Sequence, residues 1–332
     1  MRRSYDWGYH IFVSVDLAGS TAFKAGQKVD SSPKWVSTFE SFFEEFPSQV
    51  TGGYKSLEDF RHRIPANKLQ VWKLVGDEVL FTARLTCPQD VLIHVLVVKD
   101  AMDQYEKNEL ADKPISLKAT VWGAGFPVQN AIVELDLDDT TSIVDYLGPS
   151  IDLGFRLTKF ADRRKIPVSL DIAKMILDVR TQELAGYGRL DHATLLFDGA
   201  VPLKGVIGGV SYPIIWIDRL NGQQTTLDRL EQRVRACDSD TLSEFVQEFY
   251  SSHGRSLISP FIVNEGELAY GIIPPDLDAS RQKLIAENPH VSYEASISDQ
   301  AVQQTDTPPK NLPPIQIEGD ITSIDDAMQS GE

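Results

Sequence analysis

The sequence predicts an α+β domain, a mostly antiparallel sheet flanked by helices. Apolar runs of strand length alternate with segments of helical period, so strands and helices interleave. Several strands also adjoin one another through tight turns, which makes them hairpins and the sheet largely antiparallel. Hydrophobic residues make up 42% and charged residues 24% of 332 positions, an ordinary globular composition that affords a sizeable core.

The elements follow in order. Residues 10–16, HIFVSVD, form a buried first strand. Residues 33–46 place Trp35, Phe39, Phe42 or Phe43, and Phe46 at helical spacing, with Pro33 suiting the start and Pro47 the end. The polar stretch 48–67, with Gly52, Gly53 and Pro65, is expected to be a loop. KLQVWKLVGDEVLFTARL then makes two strands joined at Gly76–Asp77. A helix over about 88–107 carries Val91, Val95, Val98, Met102 and Tyr105 on one side. ISLKATVWGAGFP is a strand and NAIVEL a short one; GPSIDLGFRLTKFA is a helix. IPVSL is a strand, DIAKMILD a helix, and VPLKGV and SYPIIWID are late strands.

The texture changes after Arg219. Residues 225–252 predict two short helices, the second starting near Asp238 or Asp240, and FIVNEGELAYGII predicts a hairpin. From about 286 the chain is rich in Ser, Gln, Asp and Pro and poor in apolar residues, which predicts disorder. The expected division is a domain over 1–219, a small helical and hairpin extension over 220–285, and a tail over 286–332.

A net charge of −16 argues against a nucleic-acid partner, which needs a basic surface. Nucleotides remain open, because metal ions can bridge phosphates to acids. Cys87 and Cys237 lie far apart and make neither a CxxC pair nor a disulfide framework. No apolar stretch reaches signal-peptide length at the start or bilayer length anywhere, so a soluble cytoplasmic protein without membrane contact is expected. GxxxxGK[ST], HExxH and GxSxG are absent, GVIGG lacks the context of a dinucleotide fingerprint, and the six histidines are scattered.

Three stretches can carry chemistry. In SVDLAGSTAF, Asp16 ends a strand and Gly19, Ser20 and Thr21 follow. A carboxylate so placed can bind Mg²⁺ or Mn²⁺, and the N–H groups after it can face a phosphate. The same residues also make an ordinary turn or helix cap. In KLVGDEVLF, Asp77 sits in the hairpin turn beside Gly76. Alone this is turn chemistry; beside Asp16 it makes a second strand-end acid able to share one or two cations. In VDYLGPSIDLGFRL, Asp152 and Arg156 are four apart and neighbours on a helix. They are either a surface ion pair or a means of bringing Arg156 to developing charge.

In this order the three motifs resemble class III nucleotide cyclases, whose pattern is D-x-x-G-S/F-T, then K-x-x-G-D, then D-x-x-G-x-x-x-N-x-x-x-R. Asp16 to Thr21 matches the first and Lys73 to Asp77 the second. Asp145 to Gly148, followed by Asp152 and Arg156, matches the third with aspartate in place of asparagine. The resemblance spans roughly 8–219. EEFP, FPVQNA and GPSIDLGFR look like the bacterial pyrimidine cyclases of the Pycsar antiphage system, which make cyclic UMP or cyclic CMP to activate a separate effector.

The resemblance implies a ferredoxin-like core and a homodimer with sites at the interface. It implies two Mn²⁺ or Mg²⁺ ions per site on Asp16, Asp77 and the Leu17 carbonyl, with Gly19, Ser20 and Thr21 facing the phosphates. Arg156 would stabilise charge at the α-phosphate. Asp152 would orient Arg156 or accept from a ribose hydroxyl or a water. Lys73 and Asp145 would read the base. Lys204 either reaches the triphosphate or is a surface lysine beside a turn, and Tyr54 either fills space beside a small base or packs on the domain. The expected activity is conversion of UTP to 3′,5′-cyclic UMP and diphosphate. CTP or ATP as substrate, and an inactive nucleotide-binding dimerisation module, are the alternatives.

Overall fold

The computed structural model describes residues 2–3, 8–26, 34–58, 65–127, 129–137, 142–181, 193–219, 226, 239–253, 259–262, 270, 279, 282–283 and 286. Contacts group Met1–Leu284 into one unit and Ile285–Glu332 into another, and every element below belongs to the first. The predicted tail, and most of the first of the two predicted late helices, lie outside the described residues.

The elements are β1 (Arg2–Arg3), β2 (Gly8–Ala18), α1 (Ser20–Ala25), α2 (Lys34–Glu58), β3 (Gln70–Val75), β4 (Glu78–Arg84), α3 (Gln89–Glu109), β5 (Ser116–Phe126), β6 (Ala131–Asp136) and β7 (Ser142–Leu147). Then come α4 (Pro149–Leu157), a 3₁₀ turn (Thr158–Phe160), β8 (Lys165–Val168), α5 (Leu170–Thr181), β9 (Leu195–Pro202), β10 (Ser211–Asp218) and α6 (Ser239–His253). The main sheet has the order β3-β4-β2-β5-β8-β10-β9, and β1-β6-β7 form a smaller sheet. All pairs are antiparallel except β5 with β8. The run β2-α-β3-β4-α3-β5, with its strands ordered β3-β4-β2-β5, is the ferredoxin-like split βαβ arrangement expected.

Alternation along β2 explains both faces of the sheet. Ile11, Val13, Val15 and Leu17 enter the larger core with the buried faces of α2, α3 and α5. Phe12 points the other way, into a smaller core with Leu80, Trp122, Ala124, Phe126, Ile132 and Ile151. Ser14 and Asp16 continue that second face toward the end of the strand. The described residues contain no helix long and apolar enough to cross a membrane.

Three expectations are corrected. Pro47 does not end its helix, because α2 runs on to Glu58 through the stretch expected to be a loop. Proline removes one helical N–H; here Ser48 Oγ donates to the Glu44 carbonyl and Thr51 Oγ1 to the Pro47 carbonyl, both at 3.0 Å. Phe46, Val50 and Tyr54 repeat every four residues and are all fully buried, so packing carries the helix past the proline. Second, β7 was not expected. Its Ser142, Ile143 and Val144 are all exposed, so no alternation marks the strand. Third, the strand expected at 201–206 lies at Leu195–Pro202, and Leu203–Val206 forms a turn closed by the Val206 N–H on the Leu203 carbonyl.

The second late helix is α6, which packs on α5, with Phe249 edge-on to Tyr212 at 5.9 Å. Of the predicted hairpin only Phe261, Ile262 and Tyr270 are described; the Ile262 N–H donates to the Tyr270 carbonyl at 2.7 Å.

Candidate active site at the end of the central strands

The end of β2 and the β3–β4 turn meet. The Leu17 N–H donates to the Asp77 carbonyl at 3.3 Å, tying the hairpin tip to the strand end. Ser20 Oγ donates to the Asp77 carboxylate. Gly19 links β2 to α1 at φ 87°, a left-handed conformation glycine adopts without strain, and a Cβ there would lie 3.1 Å from the Pro114 carbonyl. Ser20 is buried, while Thr21 is exposed.

Asp16 stands between strands of opposite character. Its register partners are Glu78 on β4 and Lys118 on β5, so the three side chains share a face. Lys118 Nζ lies 2.8 Å from Asp16 Oδ2. Asp16 Oδ1 is buried and accepts no hydrogen bond among the described residues. Burial raises the Asp16 pKa, and the Asp77 charge adds to this; the hydrogen bond and charge of Lys118 oppose it. Burial likewise raises Glu78, whose carboxylate accepts from Ser14 Oγ.

These residues fit a hard cation. Asp16 offers a buried carboxylate oxygen with no hydrogen bond, and Asp77 lies close enough for its charge to be felt. Oxygen-only donors suit Mg²⁺ or Mn²⁺, which keep several positions for water and phosphate. No group of three or more His, Cys, Asp or Glu side chains converges on a metal position among the described residues. Of the acids here, Asp16 and Asp77 are the two that the sequence singled out.

A second cluster forms where β3 meets β7. Lys73 Nζ is 2.8 Å from Asp145 Oδ1 and 4.0 Å from the centre of the Trp72 ring. The Tyr146 N–H also donates to Asp145 Oδ1, at 3.0 Å. Lysine and acid, distant in sequence, thus form a preset donor–acceptor pair over an indole.

Helix α4 brings the third motif down on the same face. Gly154 packs so tightly that a Cβ would lie 2.2 Å from the Trp122 ring, and Trp122 stacks on Phe12 at 5.7 Å. Phe155 touches the rings of Trp122 and Trp72. Asp152 and Arg156 are both exposed and make no ion pair with each other among the described residues.

Two predicted residues lie elsewhere. Lys204 is exposed in the β9–β10 turn. β9 is four strands from β2, about 19 Å at ordinary strand spacing. Tyr54 is fully buried in the larger core. The Leu69 N–H donates to its hydroxyl at 3.2 Å, and the hydroxyl is 2.6 Å from His94 Nδ1. Burial lowers the pKa of His94 to about 4, so the ring is neutral at pH 7 and shares one hydrogen bond with the Tyr54 hydroxyl. Tyr54 therefore packs inside the domain, one of the two roles expected for it.

The sequence reading missed Glu78, Lys118, Ser14 and Trp72. Strand register was the available signal, since aligning β2 with its neighbours puts Glu78 and Lys118 opposite Asp16.

No protein-family model and no curated relative matches the chain. Among solved structures it is similar to the adenylyl cyclase CyaB from P. aeruginosa, with 14% identity, a TM-score of 0.46 and coverage of 63% of this chain and 93% of that one. It is also similar to the guanylate cyclase domain of RhGC from Catenaria anguillulae in complex with GTP, with 11% identity, a TM-score of 0.43 and coverage of 64% and 96%. At these values the likeness assigns neither a family nor an activity.

Proposed function

We propose that this chain is a pyrimidine nucleotide cyclase converting UTP to 3′,5′-cyclic UMP and diphosphate. The observation that carries the reading is the meeting of Asp16 and Asp77 at one sheet end, with a buried carboxylate oxygen left open on Asp16. In the reaction the ribose 3′-hydroxyl gives up its proton to solvent as its oxygen bonds to the α-phosphorus, the bond from that phosphorus to the bridging oxygen breaks, and diphosphate leaves.

Two Mg²⁺ or Mn²⁺ ions, when bound by Asp16, Asp77 and the Leu17 carbonyl, supply a lowered hydroxyl pKa and countercharge for the triphosphate. Ser20 has two duties. Its hydroxyl fixes Asp77, and its N–H, with those of Gly19 and Thr21, faces the phosphates. Arg156 carries an exposed guanidinium fork suited to the α-phosphate. Asp152 accepts from a ribose hydroxyl. Lys73 donates to uracil O4 while Asp145 accepts from N3–H.

Two copies complete the site. Lys73 lies on β3 and Asp77 in the turn that follows it. In the proposed dimer the acids come from one subunit and the base readers from the other. An apolar surface suits such a dimer: Val71, Leu74 and Val75 on β3, with Ile143, Val144 and Leu147 on β7, are all exposed. Lys204, distant within its own subunit, acts across the dimer or is a surface residue. The product is a diffusible messenger for a separate effector.

The test is incubation with each of the four NTPs and Mn²⁺, with products identified by mass. Cyclic UMP as the main product supports the reading. Cyclic CMP moves the base assignment within the pyrimidines, and cyclic AMP overturns it, since adenine N1 and N6 fit the same lysine–acid pair.

A further inference from the structure

Lys118 takes no part in the steps above, yet it is the cation paired with Asp16. Its ammonium sits on Oδ2 at 2.8 Å, with the lysine side chain 29% and the aspartate side chain 24% exposed. Asp16, Asp77 and Glu78 put three carboxylates in one neighbourhood: the Asp77 charge acts on Asp16, and the charges of both act on Glu78. Lys118 also acts on Glu78, lowering its affinity for a proton.

An ammonium and a divalent cation on one carboxylate repel each other, most strongly where water is partly excluded. A lysine is a compact charge on a flexible stem with three rotatable donors. It can leave a carboxylate for a phosphate oxygen without moving the strand that bears it. At the end of β5, Lys118 lies beside the turn that holds Gly19, Ser20 and Thr21: Ser116, two residues before it, pairs with Ala18.

We propose that Lys118 is the resident counter-ion of this acid cluster, holding Asp16 until cation and nucleotide arrive together and then passing to the triphosphate. Lys118 is thus a positioning residue that couples cation binding to nucleotide binding. This rests on the reading of Asp16 and Asp77 as a cation site. Coupling of this kind is reciprocal: whatever the nucleotide adds to cation affinity, the cation adds to nucleotide affinity.

The experiment measures Mn²⁺ binding by electron paramagnetic resonance of free Mn²⁺, with and without 3′-deoxy-UTP, which lacks the attacking hydroxyl. Lys118→Met should tighten Mn²⁺ binding to the nucleotide-free protein about tenfold, within the usual range of coupling. It should shrink the enhancement that 3′-deoxy-UTP produces by a similar factor. Lys118→Arg, which keeps the charge, should behave like the parent chain. Lys118→Gln serves as a second neutral variant, and melting curves establish that each protein is folded. Unchanged or weaker Mn²⁺ binding in the neutral variants overturns the proposal. Asp16→Asn separates the two failures. If it abolishes binding while Lys118→Met does nothing, the lysine proposal alone is wrong. If it leaves binding intact, the acid pair is no cation site and both readings fall.

Discussion

Asp16 is costly to the metal-free protein. Burial, the largest cause, raises its pKa above the ordinary 3.8, and the neighbouring Asp77 charge adds to that. A carboxyl with a raised folded pKa binds its proton more tightly folded than unfolded. Its contribution to stability is therefore most favourable below its ordinary pKa and is lost as pH rises through the folded value. Glu78 is raised by burial as well and acts with the same sign. Asp16→Asn should raise the melting temperature of the metal-free protein at neutral pH and reduce its decline as pH rises from the ordinary carboxylate range toward neutrality. Thermal melts across that range check this; a lower melting temperature for the variant would contradict it. Proton and cation compete for the same oxygens, so Mn²⁺ affinity should fall on acidification at a higher pH than an ordinary carboxylate would give.

At the scale of elements, α4 is seated by one missing side chain. Gly154 lets the helix lie against Trp122, which rests on Phe12 and so on the strand bearing Asp16. Gly154→Ala puts a methyl where the ring stands. The expected cost is about 1–3 kcal/mol of stability, with activity lost as Arg156 is displaced. Denaturation midpoints and turnover check both, and a fully active variant would show that α4 does not set Arg156. Elements with a strong period were legible in the sequence. β2, the β3–β4 hairpin, α3 and β10 lie where alternation or helical spacing put them. The misreadings came where local signals and tertiary packing disagree. Pro47 marks a helix end by its chemistry, but Phe46, Val50 and Tyr54 hold the helix together from the far side of the core. β7 has no buried face to betray it.

For the whole molecule, the sequence made the acids of the site legible but not their surroundings. Asp16 and Asp77 end adjacent apolar strands, which periodicity can show. Glu78 and Lys118 join them only through strand register, and the Lys73–Asp145 pair needs a strand that carries no pattern of its own. Tyr54 lies in the longer α2, so ending that helix at Pro47 put it in a loop and left its two roles open. A dimer with acids from one subunit and Arg156 from the other makes a quantitative prediction. Asp16→Asn and Arg156→Ala proteins, each inactive alone, should regain about a quarter of parent activity when refolded together in equal amounts, since half the dimers then carry one intact site of two. No recovery would place all the groups of a site within one chain.

The central claim is that Asp16 and Asp77 together serve cation-dependent cyclisation of UTP, and one assay addresses it. UTP turnover is followed by mass for the parent chain, Asp16→Asn and Asp77→Asn, with Mn²⁺ and with chelator. The account predicts cyclic UMP and diphosphate from the parent only with Mn²⁺, and a loss of at least about a hundredfold in either variant. Cyclic UMP formed at the parent rate by either variant, or by the parent in chelator, would contradict it.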